Sequence, residues 1–477
     1  MNILEYAKDK LVKINRLCEE KNFYQRVPVG EIWLSNLRTI HRKLIANATD
    51  PEKFIQETLA APTFSWAAYA STTKDSEIVR RNVAWYVNWM KDMGKELSDF
   101  PYEMEQSKHA CQGTIVKVDN RNVSPEFLRL LAYIITMDQH LILNKPNLQI
   151  LELGSGYGGM ARVLSTYRPD AKFTLIDLPE SLFFAYIYLK VHFPEKRIVY
   201  VSSEDEISDN VKTADFLLVP SVLAESLEGQ RYDIFINTQS LGEMDNKAIL
   251  FWGNLIQEKL EVESVFLCNR FLNSCEIETN RKNENLCSLF LDNRWTIRYW
   301  HFDPPFYHNP YIVTHFPKSL CIIASREPED ADLQKKNYQR SWELFWDVFY
   351  EDWVQWGFHL QKRIDLPGRM QNGVYAFEGS MNGTLFKLWE SIRLYPTKYN
   401  VFLMLYYLKS MSPGFLRKDF IEEHIYYESL FRDENKLNPT AGDMDMANLD
   451  AMIDHYYVFA KKRSKSHETF LKLTGKR

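Results

Sequence analysis

The chain of 477 residues has no apolar run long enough to cross a bilayer. Its longest, such as Val401 to Leu408, fall far short of the roughly 20 residues required. A basic start followed by an unbroken apolar core is also missing, because Met1 to Glu20 alternates charged and apolar residues; no secretory leader is expected. Cysteine is sparse, six in all, and no two stand at CxxC spacing. That pattern reads as ordinary reduced thiols in a cytoplasmic protein, not as zinc ligands or a disulfide framework. Nor is there an excess of one charge: 58 basic residues face 63 acidic ones, for a net charge of −5. Nucleic-acid binding through bulk charge is therefore not expected.

What is present is an ordinary globular composition, 45% hydrophobic and 25% charged, in a chain long enough for several structural units. Residues 1–104 read as a helical N-terminal region. Apolar residues at Ile32, Leu34, Leu37, Ile40, Leu44 and Ile45 share one helical face, and Val79 to Met93 has the same rhythm. Ser124-Pro125-Glu126 is a helix start, with a capping hydroxyl and a first-turn proline. Residues 105–326 then alternate strands and helices. Strands are expected at Gln149–Leu153, Lys172–Ile176, Arg197–Val201, Phe216–Val219, Tyr232–Asn237 and Ser264–Cys268. Helices of crossover length between them imply a parallel sheet covered on both faces. Trp295–Phe302 and Tyr311–Ala324 are expected to close one edge antiparallel. Residues 327–477 read as a helical C-terminal region, in which Trp342, Trp346, Trp353 and Trp356 lie at core-like helical spacings.

The chemistry concentrates at Ile150-Leu-Glu-Leu-Gly-Ser-Gly-Tyr-Gly-Gly159. Closely spaced glycines after a buried strand let backbone approach a ligand, and the helix that follows aims its positive end there. Asp177, at the tip of the next strand, stands where an acid accepts hydrogen bonds from ribose hydroxyls. The pair implies an adenosine-containing cofactor. A dinucleotide fold would show G-x-G-x-x-G; here Glu152 precedes Gly154, Gly156 and Gly158, which disfavours a nicotinamide enzyme. Glu-x-Gly-x-Gly-x-Gly resembles the opening motif of class I S-adenosylmethionine-dependent methyltransferases, a Rossmann-like α/β fold of mostly parallel sheet with an antiparallel edge.

Gly156-Tyr-Gly-Gly159, Asp177-Leu-Pro179 and Asn237-Thr-Gln-Ser-Leu-Gly-Glu-Met244 together resemble the sugar O-methyltransferase family over roughly residues 105–325. Ser155 stands where that family often has glycine. The resemblance implies S-adenosylmethionine as cofactor and a hydroxyl of a saccharide or glycoconjugate as acceptor. Glu152, Gly154, Gly156, Gly158, Asp177 and Asn237 would then be the cofactor residues. For the adenine edge two strand ends compete, Ser203-Glu204 and Pro220-Ser221; the shorter distance to Tyr232 favours Ser221. A sugar hydroxyl needs a base within hydrogen-bond reach. Glu243 is the first candidate, followed by His301, Asp303 and His308. No tight ligand spacing points to a metal. The helical flanks would suit docking to glycan-assembly enzymes, and a non-sugar acceptor or a non-catalytic scaffold with a degenerate pocket are the competing readings.

Overall fold

The computed structural model describes residues 2–30, 33, 37–60, 76–110, 112–244, 246–270, 294–302 and 319–326. The chain divides into two compact units, Met1–Thr279 with Glu284–Gln334, and Asn280–Asn283 with Lys335–Arg477. All described residues belong to the first. The expected C-terminal helices and their tryptophans, with Asp303 and His308, lie outside the described residues.

The N-terminal region is helical: α1 (Ile3–Glu20), α2 (Phe23–Arg26), α3 (Arg42–Asn47), α4 (Pro51–Ala60) and α5 (Ser76–Asp92). Leu4, Ala7, Leu11, Ile14 and Cys18 form one buried stripe along α1, at the spacing that keeps side chains on one face. Of the face expected over 32–45, Leu37–His41 form a π-helical turn that precedes α3, and Ile32 and Leu34 lie outside the described residues.

Next comes a small hairpin, β1 (Val116–Val118) and β2 (Arg121–Val123), that the strand pattern did not bring out. Its two-residue turn, Asp119-Asn120, has both φ angles positive (50° and 64°), the conformation that suits a tight hairpin and that Asp and Asn tolerate. Helix α6 (Pro125–Gln139) begins as its sequence demands: Ser124 Oγ accepts from the Phe127 N–H at 3.1 Å, with proline in the first turn.

The main layer alternates strands and helices, except that only a 3-10 helix (Ser221–Leu227) joins β6 to β7: β3 (Gln149–Leu153), α7 (Gly159–Tyr167), β4 (Lys172–Asp177), α8 (Pro179–His192), β5 (Ile198–Tyr200), α9 (Glu204–Asn210), β6 (Phe216–Pro220), β7 (Arg231–Thr238), α10 (Asn246–Asn254) and β8 (Glu261–Arg270). Strands β9 (Trp295–Phe302) and β10 (Ser319–Arg326) complete the sheet. The order is β5-β6-β4-β3-β7-β8-β10-β9. The first six strands are parallel and the last two join antiparallel. This is a Rossmann-like α/β fold with an antiparallel edge. β3 is central, and the chain leaves it towards β4 on one side and later returns to β7 on the other. The carboxyl end of β3 is therefore the switch point, where open α/β sheets form their crevice.

Helix α8 explains how the N-terminal helices attach. Every residue from Pro179 to Leu189 is buried, so α8 is apolar all round and needs cover on the side away from the sheet. Helices α1 and α4 supply it: Tyr6 packs on Tyr186, and Phe54 stacks on Phe184 at 5.1 Å with its edge to Phe183 at 5.4 Å. No described helix is long and apolar enough to cross a membrane.

Phe54 is 1% exposed, so Phe54→Ala should destabilise the whole first unit by about 3–5 kcal/mol. Urea unfolding followed by circular dichroism checks this. A separate early transition of the N-terminal helices, with the sheet unaffected, would contradict the shared core.

Candidate functional site

The glycine turn is tied down by its neighbours. Gly154 extends the ladder, its N–H donating to the Ile176 carbonyl at 2.7 Å, and the Gly158 N–H closes the turn on the Ser155 carbonyl at 2.9 Å. Asp177 latches it: Oδ2 accepts from the Gly156 N–H at 2.7 Å and Oδ1 from the Leu178 N–H at 2.6 Å.

The glycines have different reasons for being glycine. A Cβ on Gly154 would lie 2.2 Å from Ser240 Oγ, so this position is set by the rim loop packed against it. Gly158 caps α7 and abuts Leu189 and Ala185 of α8. Gly156, at φ +56°, faces open space: a Cβ there would meet no atom beyond its chain neighbours within 4 Å. Of the three expected to touch a cofactor, Gly156 is the one that opens on the crevice.

Two buried hydroxyls near this turn lack hydrogen-bond partners, Ser155 Oγ and Ser221 Oγ. Ser155 lies in the turn. Ser221 follows β6, whose last residue, Pro220, is in register with Asp177. Buried polar atoms are almost always paired, and these two hydroxyls are exceptions at the carboxyl ends of β3 and β6. The competing strand end is occupied otherwise. Strand β5 lies at the sheet edge beyond β6, Ser203 caps α9, and Glu204 pairs with Lys21 at 3.0 Å.

Two acids share the carboxyl ends of β3 and β4. Burial and then the Asp177 charge push the Glu152 carboxyl up to about 8. Burial also raises Asp177, to about 6, although the Gly156 and Leu178 N–H groups and Ser181 pull it down. A third carboxyl, Glu180, is raised by burial despite Arg42 at 3.7 Å. Ionising these acids is thus costly, and a cationic ligand would relieve that cost.

Past β7 the chain forms a polar rim. Asn237, expected to face a cofactor, is wholly buried and used as a brace. Its Nδ2 donates to the Leu153 carbonyl at 2.7 Å and to Ser240 Oγ at 2.6 Å; its Oδ1 accepts from the Leu241 N–H and from Asn269 Nδ2. Asn269 Oδ1 in turn accepts from the Gly242 N–H. Gln239 within this rim takes φ +72°, which is strained for a side chain of its size. The brace brings Glu243 forward, half-buried, where its Oε2 accepts from the Trp33 indole N–H at 2.7 Å. Trp33 comes from the N-terminal region and belongs to no motif, so nothing local in the sequence reveals it.

His301 is not brought into this group. It lies on β9, in one row across the sheet with Cys321, Cys268 and Thr238. Three strand spacings keep its backbone about 14 Å from Thr238.

The raised acids make a stability prediction. A carboxyl with a higher pKa folded than unfolded keeps its proton longer in the native state, so native stability falls as pH rises through that window. For Glu152 the window runs from about 4.5 to about 8. The ligand-free chain should lose melting temperature across it, and Glu152→Gln should flatten the decline. An unchanged slope in the variant would show that Glu152 is not the group responsible.

No family model and no curated protein matches the chain. Among solved structures, it resembles the pyocyanin biosynthetic protein PhzM at 15% identity and TM-score 0.27, over 42% of this chain and 56% of that one. The chain thus spans little more than half of PhzM. It also resembles magnesium protoporphyrin IX methyltransferase ChlM of Synechocystis PCC 6803, solved with bound SAH, at 13% identity and TM-score 0.25, over 42% of this chain and 81% of that one. A third is the N-methyltransferase NodS of Bradyrhizobium japonicum WM9, in complex with S-adenosyl-L-homocysteine. There the identity is 10% and the TM-score 0.26, over 42% of this chain and 85% of that one.

Proposed function

We propose that the chain is an S-adenosylmethionine-dependent O-methyltransferase whose acceptor is a hydroxyl of a sugar or glycoconjugate. The carrying observation is the crevice at the end of β3: Gly156 faces open space, Asp177 latches the turn, and the Ser155 and Ser221 hydroxyls are buried there without a hydrogen-bond partner. That donor set suits an adenosyl group, with Asp177 for ribose hydroxyls and Ser221 at the base edge. Glu152 would face the cationic amino-acid end. S-adenosylmethionine supplies a methyl group already activated by sulfonium.

The protein's part is positioning and proton removal. Trp33 holds Glu243 at the rim, where an acceptor hydroxyl approaching the crevice would meet a carboxylate able to take its proton. An indole beside a carboxylate offers both an apolar face and a hydrogen-bond acceptor, which suits a saccharide with its CH faces and hydroxyls.

Calorimetry on the full chain should show binding of both S-adenosylmethionine and S-adenosylhomocysteine. Asp177→Ala, confirmed folded by circular dichroism, should weaken both by about 10- to 100-fold, the value of hydrogen bonds to a charged group. A wild-type chain that binds neither would remove the reading and leave the scaffold.

Glu243→Gln should keep donor affinity while lowering methyl transfer about 10²- to 10⁴-fold, measured with methyl-labelled donor and a saccharide fraction of cell extract. Transfer at the wild-type rate would take the base role from Glu243. Label appearing only in lipid or protein fractions would replace the acceptor and leave the donor site standing.

A further inference from the structure

Two of the scattered cysteines, 53 residues apart in the chain, meet across the sheet. Cys268 on β8 and Cys321 on β10 are direct partners in the antiparallel register, and their sulfurs lie 2.8 Å apart. Neither is in a disulfide, and they are 0% and 1% exposed. They belong to one column of side chains on one sheet face, with Phe266 opposite Ile323 and the hydroxyls of Ser264 and Ser325 at 3.3 Å. Phe266 packs on Tyr133 of α6, so the sulfurs lie on the face that α6 covers.

Directly opposed residues in an antiparallel pair have Cα atoms about 4.5–5.5 Å apart. A disulfide spans about 4.4–6.8 Å between Cα atoms. The backbone thus already has the separation the bond needs. We infer that Cys268 and Cys321 are a modification site: they form a cross-strand disulfide when the chain meets a small peroxide.

Hydrogen peroxide oxidises one thiol to a sulfenic acid and leaves as water; the second sulfur then attacks it, forming the S–S bond and releasing a second water. Two thiols and one peroxide give one disulfide and two waters. The bond would sit beside the rim. The Cys268 carbonyl accepts the Gln239 N–H at 2.7 Å, and Asn269, the next residue, braces Asn237 and Gly242. Oxidation would therefore tie the antiparallel edge covalently to the strand that braces the loop of Glu243. This inference is independent of the methyl donor and of the acceptor.

The test uses the folded full chain, reduced, exchanged into reductant-free buffer and treated with hydrogen peroxide. After quenching, it is alkylated under denaturing conditions and digested for mass spectrometry. The expected result is a linked peptide pair carrying Cys268 and Cys321, lighter than the sum of its parts by two hydrogens and resolved by dithiothreitol. Cys268→Ser should abolish that pair and leave Cys321 alkylated. Full alkylation of both cysteines in the wild type, under peroxide that oxidises its methionines, overturns the inference. So does a linked pair that forms only after the chain is unfolded in urea.

Discussion

The hydrogen bond from the Gly156 N–H to the Asp177 carboxylate is the constraint on which the site depends. It joins the loop after β3 to the end of β4 and fixes where the turn can lie. It also holds a buried carboxylate against its own desolvation, with Glu152 beside it on the neighbouring strand. Water would solvate both acids better than this environment does, and the fold retains them at its switch point nonetheless. Two buried acids at one switch point favour a nearby positive charge, whatever the shape around them.

The rim is built on the opposite principle. Asn237, Ser240 and Asn269 satisfy one another and the surrounding backbone, leaving almost nothing for a ligand. Their work is to hold a strained turn, with Gln239 in the left-handed region, so that Glu243 projects towards Trp33. Three N-terminal side chains touch both rims of the crevice: Trp33 reaches Glu243 beyond β7, while Arg42 and His41 meet Glu180 and Phe184 on α8 beyond β4. Since β3 lies between β4 and β7, these side chains meet elements on both sides of the glycine turn.

Much of the central layer was legible in the residues. Strand and helix positions followed from periodicity, and the parallel sheet followed from crossover lengths. The end of β6 over that of β5 was favoured by spacing, and the strand order placed β6 beside β4. Other features depended on contacts far apart in the chain. Asn237 sits inside a motif, yet its amide is used internally, and only the partners from β8 and the Ser240 turn reveal that. The separate reasons for Gly154 and Gly156 are a matter of what stands opposite each, Ser240 or open space. Trp33 carries no local signal. The β1–β2 hairpin did carry one, in Val-Lys-Val-Asp-Asn-Arg-Asn-Val, but three-residue strands are too short to stand out by alternation.

Helix α8 has a practical corollary. Its outer surface is as greasy as its inner one, and α1 and α4 are what keep that surface dry. Trimming expression clones to the Gly113–Arg326 segment would strip away that shield and present Tyr186, Phe183 and Phe184 to solvent as a sticky patch. A recombinant fragment that keeps this surface covered therefore has to begin near Ile3, well upstream of the glycine turn.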